Sequence, residues 1–350
     1  MTSTPAAYMA LALQVTCQAV NNCPDKATAR TRMLASIARI RAQVIASKRF
    51  IGPDVRLVVL PEYFLTGFPM GESPAEWADK AALDLDGPEY AALGELARAA
   101  DSFIAGNAYE RDPHFPGLYF QASFVVAPDG RVILRYRRLI SMFAPSPYDV
   151  WDRYIDVYGI DAVFPVADTE IGRLSAIASE EILYPEIARA HALRGAEIFV
   201  HSSSEVASPL PTPKNVAKQA RAIENLAYVV SANSAGIADI AIPAASTDAG
   251  SKIIDFRGQV LAETGYGESM TANATIDLGA LRAWRRRPGM GNMPARLPLP
   301  LFAQAYAGAQ AQLRNGMIGP DGQVIPPAGP AFYRERQARV IDALDKAGII

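Results

Sequence analysis

The segments of this chain that could do chemistry place polar groups immediately beyond apolar runs, where an α/β sheet presents side chains to a ligand. The first is Pro61-Glu62-Tyr63-Phe64-Leu65-Thr66-Gly67, which follows Val55 to Leu60. A carboxylate in that position, flanked by aromatics, is partly desolvated, as a general base or acid at neutral pH requires. Its bland alternative is a Glu that caps a loop or pairs with a neighbouring Arg. The second runs from Pro128 through Asp129-Gly130 to Tyr136-Arg137-Arg138-Leu139. The third is Ile177-Ala178-Ser179-Glu180-Glu181, continuing to Tyr184-Pro185-Glu186. There a small polar residue ends a strand and precedes a helix-opening Pro-Glu. That is a nucleophile position, with backbone N–H groups nearby to receive an oxyanion.

These segments need elements to hold them, and periodicity supplies them. Met33, Ile37, Ile40 and Val44 recur at three- and four-residue steps, so Ala27 to Ser47 is expected to be an amphipathic helix. Further helices are expected at Ala91 to Ala100, Pro185 to Arg194 and Lys214 to Ala227. Strands are expected at Met9 to Thr16, Val55 to Leu60, Phe103 to Tyr109, Gln121 to Ala127, Val132 to Tyr136, Leu174 to Ala178, Ile198 to His201 and Tyr228 to Asn233. A hairpin-like pair, Lys252 to Phe256 and Gln259 to Ala262, follows. Interleaved helices and strands without a linker indicate one α/β domain with mixed sheets, residues 1–285. After Trp284 come Arg285-Arg286-Arg287, many prolines and two helical stretches, Ala303 to Asn315 and Tyr333 to Ala347. Residues 286–350 therefore form a C-terminal extension, expected to pack on a partner subunit, and the arginine triplet is expected to be a solvated or interface patch.

Composition narrows the function classes. The 350 residues are half hydrophobic and carry a net charge of -2, which gives no basic footprint for nucleic acid or an anionic membrane. No apolar run reaches the roughly 18 residues of a spanning helix. No Lys or Arg precedes Lys26, so the charged start of a signal peptide is missing and a cytoplasmic protein is expected. Two cysteines, Cys17 and Cys23, and three scattered histidines offer neither a disulfide framework nor zinc-ligand spacing. No metal site is expected.

Taken in order, P-E-Y-F-L-T-G, D-G-x-x-x-x-x-Y-R-R, Y-P-E-x-A-R with R-G-A-E after it, and Ala220-Arg221-Ala222-Ile223-Glu224-Asn225 leading to Ser231-Ala232-Asn233 resemble the nitrilase superfamily of carbon-nitrogen hydrolases, most closely its amidase-like branches. The resemblance spans roughly residues 9 to 285. It implies a four-layer α-β-β-α sandwich with mixed sheets, a small amide, nitrile or carboxylate as the partner molecule, no cofactor, and assembly into a homodimer or higher homo-oligomer. It also implies a Glu general base, a Lys that stabilises the oxyanion and a Cys nucleophile. These fall on Glu62, Arg138 and Ser179, and Tyr63, Met142, Glu180 and Glu181 fall among the substrate contacts.

Two of the three catalytic positions thus depart from the family. Arg138 keeps the charge and the hydrogen-bond donors but cannot give up a proton. Ser179 replaces a sulfur nucleophile by a hydroxyl that needs a stronger base, and no histidine is expected beside it. Of the family's additional Glu after the Lys, only Asp149 offers a nearby counterpart. The expectation is a divergent carbon-nitrogen hydrolase in which Ser179 attacks or Glu62 activates water, with Arg138 and the Glu180 amide holding an oxyanion. The alternative is a non-catalytic relative that binds a small amide or carboxylate through Arg138. A serine introduced to trap substrate would leave Arg138 unexplained.

Overall fold

A computed structural model describes residues 6–308 and 312–350. The chain begins with β1 (Tyr8–Ala12), the two-residue β2 (Cys17–Gln18), α1 (Lys26–Ile51) and β3 (Val55–Val59). It continues through α2 (Pro74–Ala81), α3 (Pro88–Ala100), β4 (Phe103–Arg111), β5 (Tyr119–Val126) and β6 (Val132–Arg137). The second half opens with α4 (Trp151–Tyr158), β7 (Ala167–Thr169), β8 (Gly172–Ala178), α5 (Pro185–Leu193), β9 (Ile198–Ser202), α6 (Pro213–Asn225) and β10 (Tyr228–Ala232). Short elements follow: β11 (Ile237–Ala238), β12 (Lys252–Ile254), β13 (Val260–Glu263), β14 (Asn273–Ile276), α7 (Leu278–Arg286), α8 (Met293–Arg296), α9 (Leu299–Gly308) and α10 (Pro330–Lys346).

Two six-stranded mixed sheets result, ordered β14-β1-β3-β4-β5-β6 and β13-β12-β10-β9-β8-β7. The parallel pairs β1/β3 and β8/β9/β10 demand crossovers, which α1, α5 and α6 provide. Asp25 caps α1 through the Thr28 N–H, and proline opens α3, α5 and α6 at their first turn. The β5–β6 hairpin turns at Gly130, whose φ of 85° suits glycine. Alternation along the strands then sorts the layers. Ala10, Ala12, Leu57 and Val59 pack toward Ala176, Ala178, Ile198 and Val230 of the second sheet. Leu11 and Val58, one residue out of phase, pack with Met33, Ile37, Ile40 and Val44 of α1. This is the four-layer α-β-β-α arrangement with mixed sheets.

Several details differ from the sequence reading. The first strand stops at Ala12, and Cys17 belongs to β2, which pairs with β11 instead of extending β1. Strand β14 was not foreseen: it is four residues long, only Ile276 is buried, and its stability comes from pairing antiparallel with β1. Helix α7 crosses the expected boundary at 285, and Arg285 is no solvated patch, because its guanidinium donates to the carbonyls of Leu226 and Ala196 at 2.8 and 2.7 Å. The helix expected over Ala303 to Asn315 begins earlier, as α9; residues 309–311 lie outside the described residues, and Asn315 sits in a turn. Part of the extension folds onto its own chain. Met317 and Tyr333 join Phe115, Phe120, Val150 and Tyr154 in a third apolar cluster, and Arg336 pairs with Asp149.

Candidate active site

The C-terminal ends of β3, β6, β8 and β9 converge where the two sheets meet. Glu62 follows β3 and is almost wholly buried. Its carboxylate accepts from Gln121 Nε2 at 2.6 Å and from Ser204 Oγ at 3.0 Å, and Arg138 Nη1 lies 3.6 Å away. The Ser202 hydroxyl donates to the Leu60 carbonyl at 2.7 Å, and the Glu62 N–H to the Ser203 carbonyl at 3.2 Å. These two bonds stitch the end of β9 to the end of β3 and so fix the glutamate across the sheet-to-sheet gap.

Arg138, the residue after β6, is buried and heavily engaged. Nε donates to the Ile140 carbonyl and Nη1 to Gln121 Oε1, both at 2.7 Å, while Nη2 pairs with Glu180. Burial alone would lower the guanidinium's pKa, but Glu180 and Glu62 beside it outweigh that and raise it. The arginine is a fixed positive charge. It is also the link by which Glu62 reaches the neighbour of Ser179.

Ser179, the residue after β8, has a left-handed backbone, φ 46°, a conformation that costs a non-glycine residue of order 1 kcal/mol and accumulates at functional sites. The sequence reading placed no histidine beside it, and this is corrected: His201 Nε2 lies 2.8 Å from the Ser179 carbonyl, and Nδ1 lies 2.8 Å from Ser231 Oγ. Burial, then Lys218 and Lys214, push the His201 pKa well down, so the ring is a neutral brace. It holds the serine's backbone and does not touch its hydroxyl. The group at Ser179 Oγ is Lys214, whose Nζ lies 3.3 Å away from the first turn of α6.

The four expected substrate contacts separate in space. Met142 and Glu180 line a cavity of about 720 Å³, together with Tyr148, Trp151, Phe164 and Tyr184. Glu181 is fully buried and accepts from the N–H groups of Leu139 and Ile140 at 2.8 and 2.9 Å and from Tyr136 OH at 2.8 Å. It ties the end of β6 to the Ser179 turn, which is a scaffold position in place of the substrate contact expected of it. Burial pushes its pKa up to about 7, against the opposing pull of Arg138 and these donors. Tyr63 has φ 61° and stacks on Tyr109 with ring centroids 6.0 Å apart. Asp149 accepts from the Ser146 N–H and hydroxyl and pairs with Arg336, so it anchors the extension and does not join Glu62 and Arg138.

Neither cysteine offers a thiol to this cavity. Cys17 is buried behind Glu62, its Sγ 3.5 Å from the Glu62 carbonyl oxygen, and burial pushes its pKa up. Among the described residues no cluster of three or more His, Cys, Asp or Glu is placed to hold a metal, and no helix is long and apolar enough to cross a membrane.

The carbon-nitrogen hydrolase family model matches residues 14–286. The chain belongs to the carbon-nitrogen hydrolase family. Within this family, part of the nitrilase superfamily, the chain is 29% identical over 226 residues to a formamidase of Pseudomonas syringae pv. syringae (strain B728a), covering 63% of this chain and 60% of that protein. The chain thus spans somewhat over half the length of that curated relative. Among solved structures it superposes on a carbon-nitrogen hydrolase from Helicobacter pylori G27 with a TM-score of 0.63 at 19% identity, covering 85% of this chain and 98% of the other. It also superposes on Nit3 of Saccharomyces cerevisiae, a member of branch 10 of the nitrilase superfamily, with a TM-score of 0.61 at 20% identity, over 81% and 94% of the two chains.

On this carbon-nitrogen hydrolase scaffold, sequence reasoning missed Gln121, Ser204, His201 and Lys214. Gln121 sits mid-strand in an apolar run, and a polar residue there facing the sheet interior was a signal that could have been read. Lys214 carried no such signal. It lies in the opening turn of a helix, where a lysine ordinarily points to water.

Proposed function

We propose that this protein hydrolyses the carbon-nitrogen bond of a small amide through an ester formed on Ser179. Glu62 activates the water that cleaves that ester, and Arg138 with the Glu180 N–H receives the oxyanion. The observation that carries this reading is the continuous polar chain from Glu62 through Gln121 and Arg138 to Glu180, ending one residue from the strained Ser179. A formamidase among the relatives supports an amide as the substrate class. The exposed Leu301 and Tyr306 on α9 support packing of the extension, residues 286–350, on a partner subunit in a homodimer or larger homo-oligomer.

Arg138's crowded contacts favour a second reading, in which the site only binds a small amide or carboxylate. One assay separates the two. The purified chain is offered a series of amides from formamide to aryl amides, and released ammonia is measured. Turnover that disappears in Ser179→Ala supports the hydrolase; a thermal shift with an amide but no ammonia supports the binder.

A further inference from the structure

The serine that replaces the family's thiol needs a proton acceptor, and the groups nearest to hand are already engaged. Both ring nitrogens of His201 have partners, one of them the carbonyl of Ser179 itself. Glu62 is occupied by Gln121 and Ser204. Only one side chain among the described residues reaches the Ser179 hydroxyl, and it is an amine.

We infer that Lys214 is the proton acceptor of Ser179, forming a serine-lysine pair between the turn after β8 and the first turn of α6. The inference rests on the reading of Ser179 as nucleophile and adds a residue to it. Geometry carries it. Lys214 Nζ stands 3.3 Å from Ser179 Oγ, close enough for proton transfer, and the left-handed turn with its His201 brace fixes the serine's backbone. Among the described residues the side-chain contact of Nζ is with the Ser179 hydroxyl, and no carboxylate lies within ion-pair distance of Nζ.

The charged groups around this pair are themselves partnered. One turn along α6, Lys218 is fully buried and pairs with Glu205 at 2.8 Å, and Glu205 also receives Asn215 Nδ2 at 3.3 Å. Lys252, from β12, pairs with Glu263 at 2.8 Å. His201, on β9, is neutral. Arg138 and Glu180, the latter next to Ser179 in the chain, pair with each other. The pKa of Lys218 falls to about 8, lowered by burial against the pull of Glu205 and further by Lys252 and Lys214.

The acylation step balances with these groups alone. Ser179 Oγ bonds to the amide carbon, its proton passes to the Nζ lone pair, and the carbonyl electrons move to oxygen. When the oxyanion collapses, the carbon-nitrogen bond breaks and Nζ returns the proton to the departing nitrogen. An acyl ester and ammonia or an amine remain, with Lys214 neutral again. Water activated by Glu62 then releases the acid.

The experiment uses the full chain and p-nitrophenyl acetate, with p-nitrophenolate release followed from about pH 6 to about pH 10 and the acylated residue located by peptide mass spectrometry. Lys214→Met is expected to slow acylation of Ser179 by about 10²-fold, with partial rescue by added methylamine. Lys214→Arg, which keeps the charge but cannot accept a proton, is expected to be equally slow and to lose the limb on which the wild-type rate rises with pH. Thermal melts confirm that the variants fold. Acylation at the wild-type rate in Lys214→Met, with Ser179 still the labelled residue, overturns the role of Lys214 and leaves the nucleophile reading standing. So does a Lys214→Arg variant as fast as wild type, since charge would then suffice. Label that persists in Ser179→Ala overturns both.

Discussion

On the first sheet, Glu62 and Arg138 are enclosed by partners; on the second, Ser179 has a strained backbone and one side chain at its hydroxyl. Glu62 accepts two hydrogen bonds, and Arg138 places its donors on a carbonyl, an amide oxygen and a carboxylate. Ser179 Oγ meets only Lys214 among the described residues. A saturated half cannot change its contacts without losing some, whereas the sparse half is free to exchange a proton. The difference teaches how the proposed mechanism divides: the first sheet would supply the fixed charge of Arg138 and the base Glu62 for the second step, and the turn after β8 the nucleophile of the first.

The sharpest way to break this comparison is Glu62→Gln. The amide keeps the shape, can still accept from Gln121 and can donate to Ser204, so the chain is expected to lose no more than about 2 kcal/mol of stability by chemical denaturation. If Glu62 activates the water of the second step, steady ammonia release should fall by about 10³-fold, while a first burst of acylation at Ser179 survives. A burst lost together with the steady rate would move Glu62 into the acylation step and collapse the division between the halves.

How far this site could be read from the sequence follows the same division. The strands and crossover helices were legible because their burial is periodic: Met33, Ile37, Ile40 and Val44 fall on one face of α1 as expected. The positions of Glu62, Arg138 and Ser179 beyond strand ends were legible because each follows an apolar run in a recognisable segment. What could not be read was contact between distant segments. His201 is 22 residues from Ser179 and Lys214 is 35, and no local pattern says that α6 opens over the turn after β8. Glu181 was misassigned for a related reason. Adjacent carboxylates look alike in sequence, yet the turn sends Glu180 to Arg138 and the cavity and sends Glu181 inward to the backbone of Leu139 and Ile140.

That pair of carboxylates gives an intermediate prediction, on stability. The folded-state pKa of Glu181 is raised from 4.5 to about 7, so the folded chain binds its proton more tightly than the unfolded chain does. The stability this contributes is fully present below about pH 4.5 and is lost as pH rises through about 7, amounting to about 3 kcal/mol. Glu181→Gln has no proton to lose. Denaturant midpoints of the two proteins, compared at acid and at mildly alkaline pH, should therefore diverge, the wild type losing stability relative to the variant as pH rises. Parallel curves would show that the buried carboxylate is not perturbed and that the turn is held by something else.

The smallest effect is expected at Glu180→Gln, and it tests the first sheet's side of the comparison. Glu180 is partly exposed and its ion pair with Arg138 is open to solvent at one end, so the substitution should change stability by less than about 1 kcal/mol. The introduced amide would still accept a hydrogen bond from Nη2, but without a charge to hold it the guanidinium is freer to turn toward a developing oxyanion. Ammonia release is then expected to rise by roughly 2- to 5-fold, with the gain in kcat and not in KM, because an oxyanion exists only in the transition state. A fall in kcat would instead mean that the Glu180 charge positions Arg138, and that the arginine works where the ion pair already holds it.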